Sequence, residues 1–329
     1  MADWTFTTAS AEARQSWAKK FWIEAKEESY WYGMGAIGSS EDNDVIVEAS
    51  ELEREQGYTH KFFQVRNLSG AGIQSDNTME GNEEVPDTFD DAVTIDQWRN
   101  AVRTDGRLSD QYPSDQALHQ WAKRLLKRWM AEKIDQDIFD GLGDNSTKIL
   151  YGGDATTTAT IESGDYMTLA LIAKATAYAE KATPQVIGKS KGGIRQWLCC
   201  MAIDQAYDLT ERDAAWAQAQ REALARGPGN PIFHNTMGIH KDCALTKHRK
   251  IPLATTWGAT GALNGASALF VGTAAGLIAY AKRKIWDEKT FDYGNKAGFC
   301  VGAIYGFTKA VFNSADNAVV QINTFRTSN

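Results

Sequence analysis

Cysteine is scarce, with four residues in 329, two of them adjacent at Cys199 and Cys200. That count and spacing make no disulfide framework, so the four are read as buried thiols in a reducing compartment. Basic charge is also in deficit. Lys and Arg number 35 against 42 Asp and Glu, a formal net charge of -7, which argues against a dedicated nucleic-acid-binding surface. The opening stretch MADWTFTTASAEARQSW has no basic region followed by an apolar core. No secretory signal is read there, and the expected compartment is the cytoplasm in which the chain is made.

The signatures of catalysis are missing as well. There is no GxSxG, no HExxH and no HxE with paired cysteines, which leaves hydrolase and deaminase chemistry without a foothold. Gly33, Gly35 and Gly38 spell GxGxxG, but an aromatic helical pattern precedes them and the acidic SSEDNDVIVEAS follows. A dinucleotide site needs a strand before and a helix after, so this is read as a flexible joint. Gly188-Lys189-Ser190 resembles the end of a P-loop, yet Thr183 stands where the glycine is required. His234, His240, Cys243 and His248 are the one cluster of ligand-type residues, and their spacing matches no zinc template. No metal or other cofactor is expected. Residues 251–281 carry no charge and are long enough to span a bilayer, but they are rich in Gly, Thr, Asn and Ser. They are read as containing a buried helix of small residues over 265–282, without a membrane role.

What is present is organised around residues 114–140. Leu118, Ala122, Leu125 and Trp129, and one step round Leu126, Met130, Ile134 and Ile138, recur three or four apart and predict a long amphipathic helix. Its core is expected to include Leu118, Leu125, Trp129 and Ile134. Gly141 and Gly143 are expected to end it, and at 1.5 Å per residue it forms a strut of about 40 Å. Before it, 11–30 is helix-compatible with Ala13, Trp17, Phe21 and Ala25 on one face, while Trp22, Ile23, Tyr30, Trp31 and Tyr32 spread aromatics around it. So much apolar surface ahead of any core predicts docking onto another surface, with another subunit as one candidate. Residues 58–68 and 92–102 read as strands joined by a glycine-rich, acidic loop long enough to project. After the strut, helices are predicted at 165–182 and 208–226, a buried strand at 197–203, and strands at 298–312 and 317–325.

Several strings in this order carry a resemblance. ELEREQGYTHKFFQVRNLSGAG, MEGNEE, VTIDQWRNAV and GRLSDQ come first, then DLTERDAAWAQAQREALARGPGNPIF and ALFVGTAAGLIAYAKRKIWDEKTFDYGNKAG. They resemble the major capsid protein family of N4-like phages and cover most of the chain from about residue 45 onward. The order of arm, hairpin, long helix, mixed lobe and terminal sheet is similar to that of tailed-phage major capsid proteins. The resemblance implies an α+β, HK97-like fold. Its parts would be an N-terminal arm (1–45), an E-loop (46–103), a peripheral domain (104–164) with spine helix 114–140, an axial domain (165–297) and a return to the peripheral sheet (298–329).

The resemblance also implies a subunit with no catalytic residue. It would assemble into hexamers and pentamers as an icosahedral head enclosing double-stranded DNA without gripping it. Intersubunit contacts are then expected from Trp17, Phe21 and Trp22 in the arm and from Phe62, Phe63 and Val65 in the E-loop. A separate scaffolding protein and a portal are the expected partners, with a cement or decoration protein as a further one. The subunit is expected to enter the shell uncut, in the host bacterial cytoplasm, and to reside in the virion. Two other readings stand beside this one. The aromatic and acidic content also suits a carbohydrate-active enzyme with paired carboxylates in a cleft, and a portal or tail component is another virion part.

Overall fold

The computed structural model describes residues 11–40, 43–53, 57–65, 72–85, 88–103, 115–182, 185–191, 194–218, 237–293 and 295–327. The first half of the chain runs α1 (Ala11–Glu28), α2 (Tyr30–Gly33), β1 (Ile37–Gly38), β2 (Ile46–Ala49), β3 (Thr59–Val65), β4 (Thr88–Thr94), β5 (Asp96–Arg103) and α3 (Asp115–Gly143). Next come β6 (Ile149–Tyr151), α4 (Leu169–Lys181), β7 (Lys189–Lys191), β8 (Ile194–Met201), α5 (Ile203–Arg212), β9 (Gly238–His240) and β10 (Cys243–Lys247). The chain closes with β11 (Leu253–Trp257), β12 (Leu263–Val271), β13 (Gly276–Phe291), β14 (Lys296–Lys309), β15 (Val311–Phe312), β16 (Ala315–Asp316) and β17 (Val319–Phe325).

Two sheets organise these elements. One has the order β1-β2-β13-β14-β5, and the other the order β6-β17-β12-β8-β10-β9, with β11 beside β12 and β7 beside β8. The spine of the first sheet is the antiparallel ribbon β13–β14, paired from Gly276↔Lys309 to Phe291↔Lys296. Alternation along β13 gives that sheet two different faces. Ile278 and Tyr280 join the main core with α1 and α3, whereas Leu277 and Ala279 join a second cluster with Leu52 and Val93.

Three expectations are corrected here. Residues 265–282 are not a helix but the end of β12, a turn and the start of β13. β12 lies between β17 and β8 and is buried from Gly265 to Val271, and a strand buried on both faces shows the same unbroken apolar run as a buried helix. The helix foreseen at 208–226 is instead α5, which begins earlier and ends at Arg212; helix resumes over 214–218, and 219–226 lie outside the described residues. Residues 298–329 do not return together to one sheet: β14 pairs with β5, while β17 pairs with β12 in the other.

The strut is α3, 29 residues long. Ala122, Leu126, Met130, Ile134 and Ile138 form its buried column, joined by Ala131, Phe139 and Leu142. Each large side chain among them contributes about 1.5–3 kcal/mol by burial. The four-residue steps select Leu126 and leave Leu125 outside, 54% exposed, which corrects its assignment to the core. Trp129 packs partly buried at the core's edge and Ile134 is buried. Leu118 lies on the helix, with its side chain outside the described residues. The helix also runs through Gly141 rather than stopping there. A Cβ at Gly141 would come within 2.5 Å of the Phe307 ring, so this glycine serves close packing of helix on sheet.

The arm docks on its own chain. Phe21 and Trp22 are buried, Phe21 beside Trp286 at 5.6 Å and Trp22 edge-on to Tyr280 at 5.6 Å. Their expected place in an intersubunit contact is corrected accordingly, because the apolar surface they were meant to share is filled by β13. Trp17 lies on α1, with its side chain outside the described residues. Asp135 of α3 fastens the junction between α1 and α2. It accepts from Ser29 Oγ at 2.7 Å, from the Tyr30 amide at 2.9 Å and from the Trp31 amide at 3.4 Å. Burial raises its carboxyl above the ordinary range, and these donors pull it back. Lys123 and Lys127 of α3 reach Glu24 and Glu28 of α1 at 3.0 and 3.2 Å.

A second polar tie joins the arm to the strand before the hairpin. Glu48 of β2 accepts from the Tyr32 hydroxyl at 2.7 Å and from Arg283 of β13, with Lys26 at 3.4 Å. Arg283 Nε also lies 2.6 Å from Glu53, in the 3₁₀ turn Glu51–Glu53. Burial by itself would raise the Glu48 carboxyl, but the Tyr32 hydroxyl, Arg283 and Lys26 outweigh it and hold it below 4.5.

Three substitutions test this packing. Met130→Asp places a charge without a partner at a fully buried position and is expected to cost about 4 kcal/mol or more. Leu125→Asp on the same helix should change stability by about 0.5 kcal/mol or less. Thermal melts followed by circular dichroism check both, and equal effects would refute the assigned helix face. Arg283→Met leaves Glu48 and Glu53 without their shared cation and is expected to cost about 3 kcal/mol near pH 7. Because the folded Glu48 carboxyl sits below its unfolded value, its contribution is full above pH 4.5 and is lost as pH falls through the folded value. The variant should therefore show a flatter loss of stability below pH 4.5, and an unchanged acid limb would refute the role of Arg283.

Candidate assembly interface

The hairpin β3–β4 is a separate two-stranded sheet, paired from Thr59↔Thr94 to Val65↔Thr88. Its pairing partner was expected at 92–102, but that stretch splits. Thr88–Thr94 forms β4 of the hairpin and Asp96–Arg103 forms β5 of the main sheet. A two-stranded ribbon is marginal alone, so its root needs support from the body. Val93 is fully buried against Leu52, Leu277 and Ala279, with Phe62 and Ile95 packed on them. The Asp91 carboxylate accepts the Val311 amide at 2.9 Å. A Cβ at Gly306 would stand 2.1 Å from the Thr94 carbonyl oxygen, so only glycine lets the root cross this close to β14.

Phe62, expected between subunits, is thus partly engaged by the root of its own hairpin. Phe63 and Val65 lie on β3, with their side chains outside the described residues. Among the described residues beyond the root, burial falls away. Residues 72–85 are exposed except for partly buried Ile73, and they include Asp76, Glu80, Glu83 and Glu84 without a Lys or Arg. Met79 and Val85 are 57% and 83% exposed. Ser75, Gly72 and Gly81 take positive φ of 63°, 68° and 84°, which bends the loop into turns instead of ladder. The ion pair Lys61–Asp90 at 3.3 Å is exposed on both sides and adds about 1 kcal/mol at most. Anchored at one end and bare at the other, the hairpin presents unpaired strand edges and apolar side chains to whatever lies alongside.

The opposite side of the main sheet carries α1 and α3. There Trp121 and Leu125 are 61% and 54% exposed, and with Arg124 and Arg128 they form an outward stripe at i, i+3, i+4 and i+7. Sequence periodicity assigned Leu125 to the wrong side and passed over Trp121. The i, i+4 pairing of Trp121 with Leu125 was the signal that could have marked this second apolar edge. The stripe leads into a cleft of about 560 Å³ lined by Glu28, Tyr30, Arg128, Glu132, Asp135 and the turn His248–Lys250. Arg128 and Arg249 both bond the same Glu132 oxygen. His248 stacks on Phe139 at 4.8 Å, and burial together with Arg249 and Lys250 depresses its imidazole to about 4.

His240, Cys243 and His248 do not converge, and among the described residues no group of three or more metal-ligating side chains gathers; His234 lies outside them. Cys199, Cys200 and Cys243 are buried free thiols, and Cys300 is partly buried. Among the described residues no helix is long and apolar enough to cross a membrane.

A family model described as phage capsid protein matches residues 5–148 and 142–327. The major capsid protein of Pseudomonas phage KPP25 is 26% identical over 354 aligned residues, covering 94% of this chain and 92% of that protein. The capsid of Ralstonia phage GP4 is 29% identical and superposes with a TM-score of 0.81 over 91% of this chain and 92% of that one. The capsid asymmetric unit of cyanophage Pam1, at 20% identity, shares the fold with a TM-score of 0.75 over 90% of this chain and 92% of that one. The architecture is the HK97-like capsid fold. By near-complete family coverage together with these likenesses, the chain belongs to the phage capsid protein family and is a structural subunit of a phage head.

Proposed function

We propose that this capsid protein closes its shell through the β3–β4 hairpin, which lies across the neighbouring copy within hexamers and pentamers of an icosahedral head. The observation that carries the reading is the hairpin's asymmetry. Its root is bound to the body by Val93, Asp91 and the contact at Gly306, while residues 72–85 are exposed except for partly buried Ile73. An extension with so little local apolar support gains partners only from another chain. In this reading residues 46–103 act as the E-loop, α3 is the spine of a peripheral domain, and the sheet around β8, β10 and β12 belongs to the axial domain. The shell encloses double-stranded DNA, whose phosphates find little attraction in a chain of net charge -7. A separate scaffolding protein and a portal complete assembly in the host cytoplasm, and a cement protein is a further candidate partner. Enzymatic and portal or tail readings have no comparable support.

Replacing residues 72–85 with a short Gly/Ser turn tests the hairpin's role. The thermal transition of the unassembled chain should stay unchanged, because the root is kept, while negative-stain images should show no closed shells or misshapen ones. Limited proteolysis of the unassembled wild type should cut first within 72–85, and those cuts should vanish on assembly. Normal particles from the shortened chain would refute the intersubunit clamp.

A further inference from the structure

We infer that the outward stripe of α3 and the cleft beside it form a docking groove for an acidic amphipathic helix of a separate protein. Trp121, Arg124, Leu125 and Arg128 share one side of α3, and the cleft continues that line past Glu132. From Trp121 to Glu132 the groove runs about 16 Å along the helix axis, three turns of a partner helix. Trp121 and Leu125 offer apolar surface at i and i+4, more than half exposed, which suits the matching apolar spacing on another helix.

Charge identifies the partner's polar side. Lys123 and Lys127, on the flank toward α1, already pair with Glu24 and Glu28. Arg128 and Arg249 are 64% and 53% exposed and divide a single carboxylate, Glu132, between them. Arg124 has no carboxylate partner among the described residues. Two guanidinium groups sharing one acceptor, with Lys250 beside them, leave positive charge that incoming carboxylates can complete.

A second copy's hairpin is not the occupant. It springs from the Leu277/Ala279 face of the sheet, opposite the Tyr280 face on which α1 and α3 lie, so copies joined side by side in one layer keep hairpins and grooves on opposite surfaces. Nucleic acid is the less fitting occupant because a phosphate backbone makes no use of the exposed apolar pair Trp121 and Leu125. The groove does not depend on the hairpin acting as a clamp, and shell formation is scored separately from binding.

The test uses the unassembled full-length chain and two labelled synthetic helices of about 20 residues. Both carry leucines at i and i+4, one flanked by glutamates and the other by lysines, and a DNA duplex serves as a third probe. In low salt, the acidic helix should bind about tenfold tighter than the basic one by fluorescence anisotropy. Trp121→Ala should weaken that binding about tenfold, and Arg124→Glu with Arg128→Glu should reverse the preference toward the basic helix. Ile203→Ala, an exposed change on α5, should leave binding unchanged. Equal binding of the two helices, or a preference that survives the charge reversal in a variant with wild-type circular dichroism, overturns the inference. Duplex DNA binding tighter than the acidic helix and lost in the same variant would replace it with a nucleic-acid surface.

Discussion

The burial of one column of α3 side chains is the constraint on which the rest of the molecule depends. Leu126, Met130, Ile134 and Ile138 are inaccessible on a helix 29 residues long, and three separate parts of the chain meet there. The sheet supplies Tyr305, whose hydroxyl donates to Asp137 at 2.7 Å. The arm supplies Trp31, fully buried and packed on Phe139. The second sheet reaches the same core through Cys200 and Thr246, which meet the Tyr30 hydroxyl at 3.1 and 2.6 Å. A helix this long keeps one face continuously dry only if elements distant in sequence line up along it.

That arrangement gives the main sheet two unlike faces, and the division has functional weight. On one face the arm and strut form a dry core with hydrogen-bonded charges at its edge. On the other, a small cluster of Leu52, Val93, Leu277 and Ala279 holds only the root of a hairpin. Glu48 and Arg283 connect the arm to the 3₁₀ turn that precedes the hairpin, so the seat of the arm and the foot of the hairpin share one partly buried ionic cluster. In the assembly proposed above, this division separates a body stable by itself from an extension that a neighbour would cover.

Much of this was legible in the residues. The apolar period of 114–140 marks the strut, the acidic glycine-rich run after β3 marks a projecting loop, and the strings from residue 51 to 298 resemble capsid proteins of N4-like phages. Other features escaped because several burial patterns share one sequence texture. The run of small and apolar residues at 265–282 becomes two strands, since a segment covered on both faces loses the alternation that distinguishes strand from helix. Phe21 and Trp22 looked like surface for another subunit because a chain of aromatics does not reveal which apolar surface will cover it.

The sequence by itself determined the helix of the strut, the free state of its four cysteines, the acidic hairpin and, through its strings, membership in a capsid family. Tertiary structure alone decided which side of the strut is dry. A four-residue step turns 400°, so a buried column drifts round the helix axis. Whether Leu125 or Leu126 points inward then depends on where the sheet lies, not on either residue. It also decided that the hairpin and the Trp121 stripe stand on opposite faces of one sheet. That separation arises from the alternation of side chains along β13, to which the arm, the strut and the hairpin attach from distant parts of the chain.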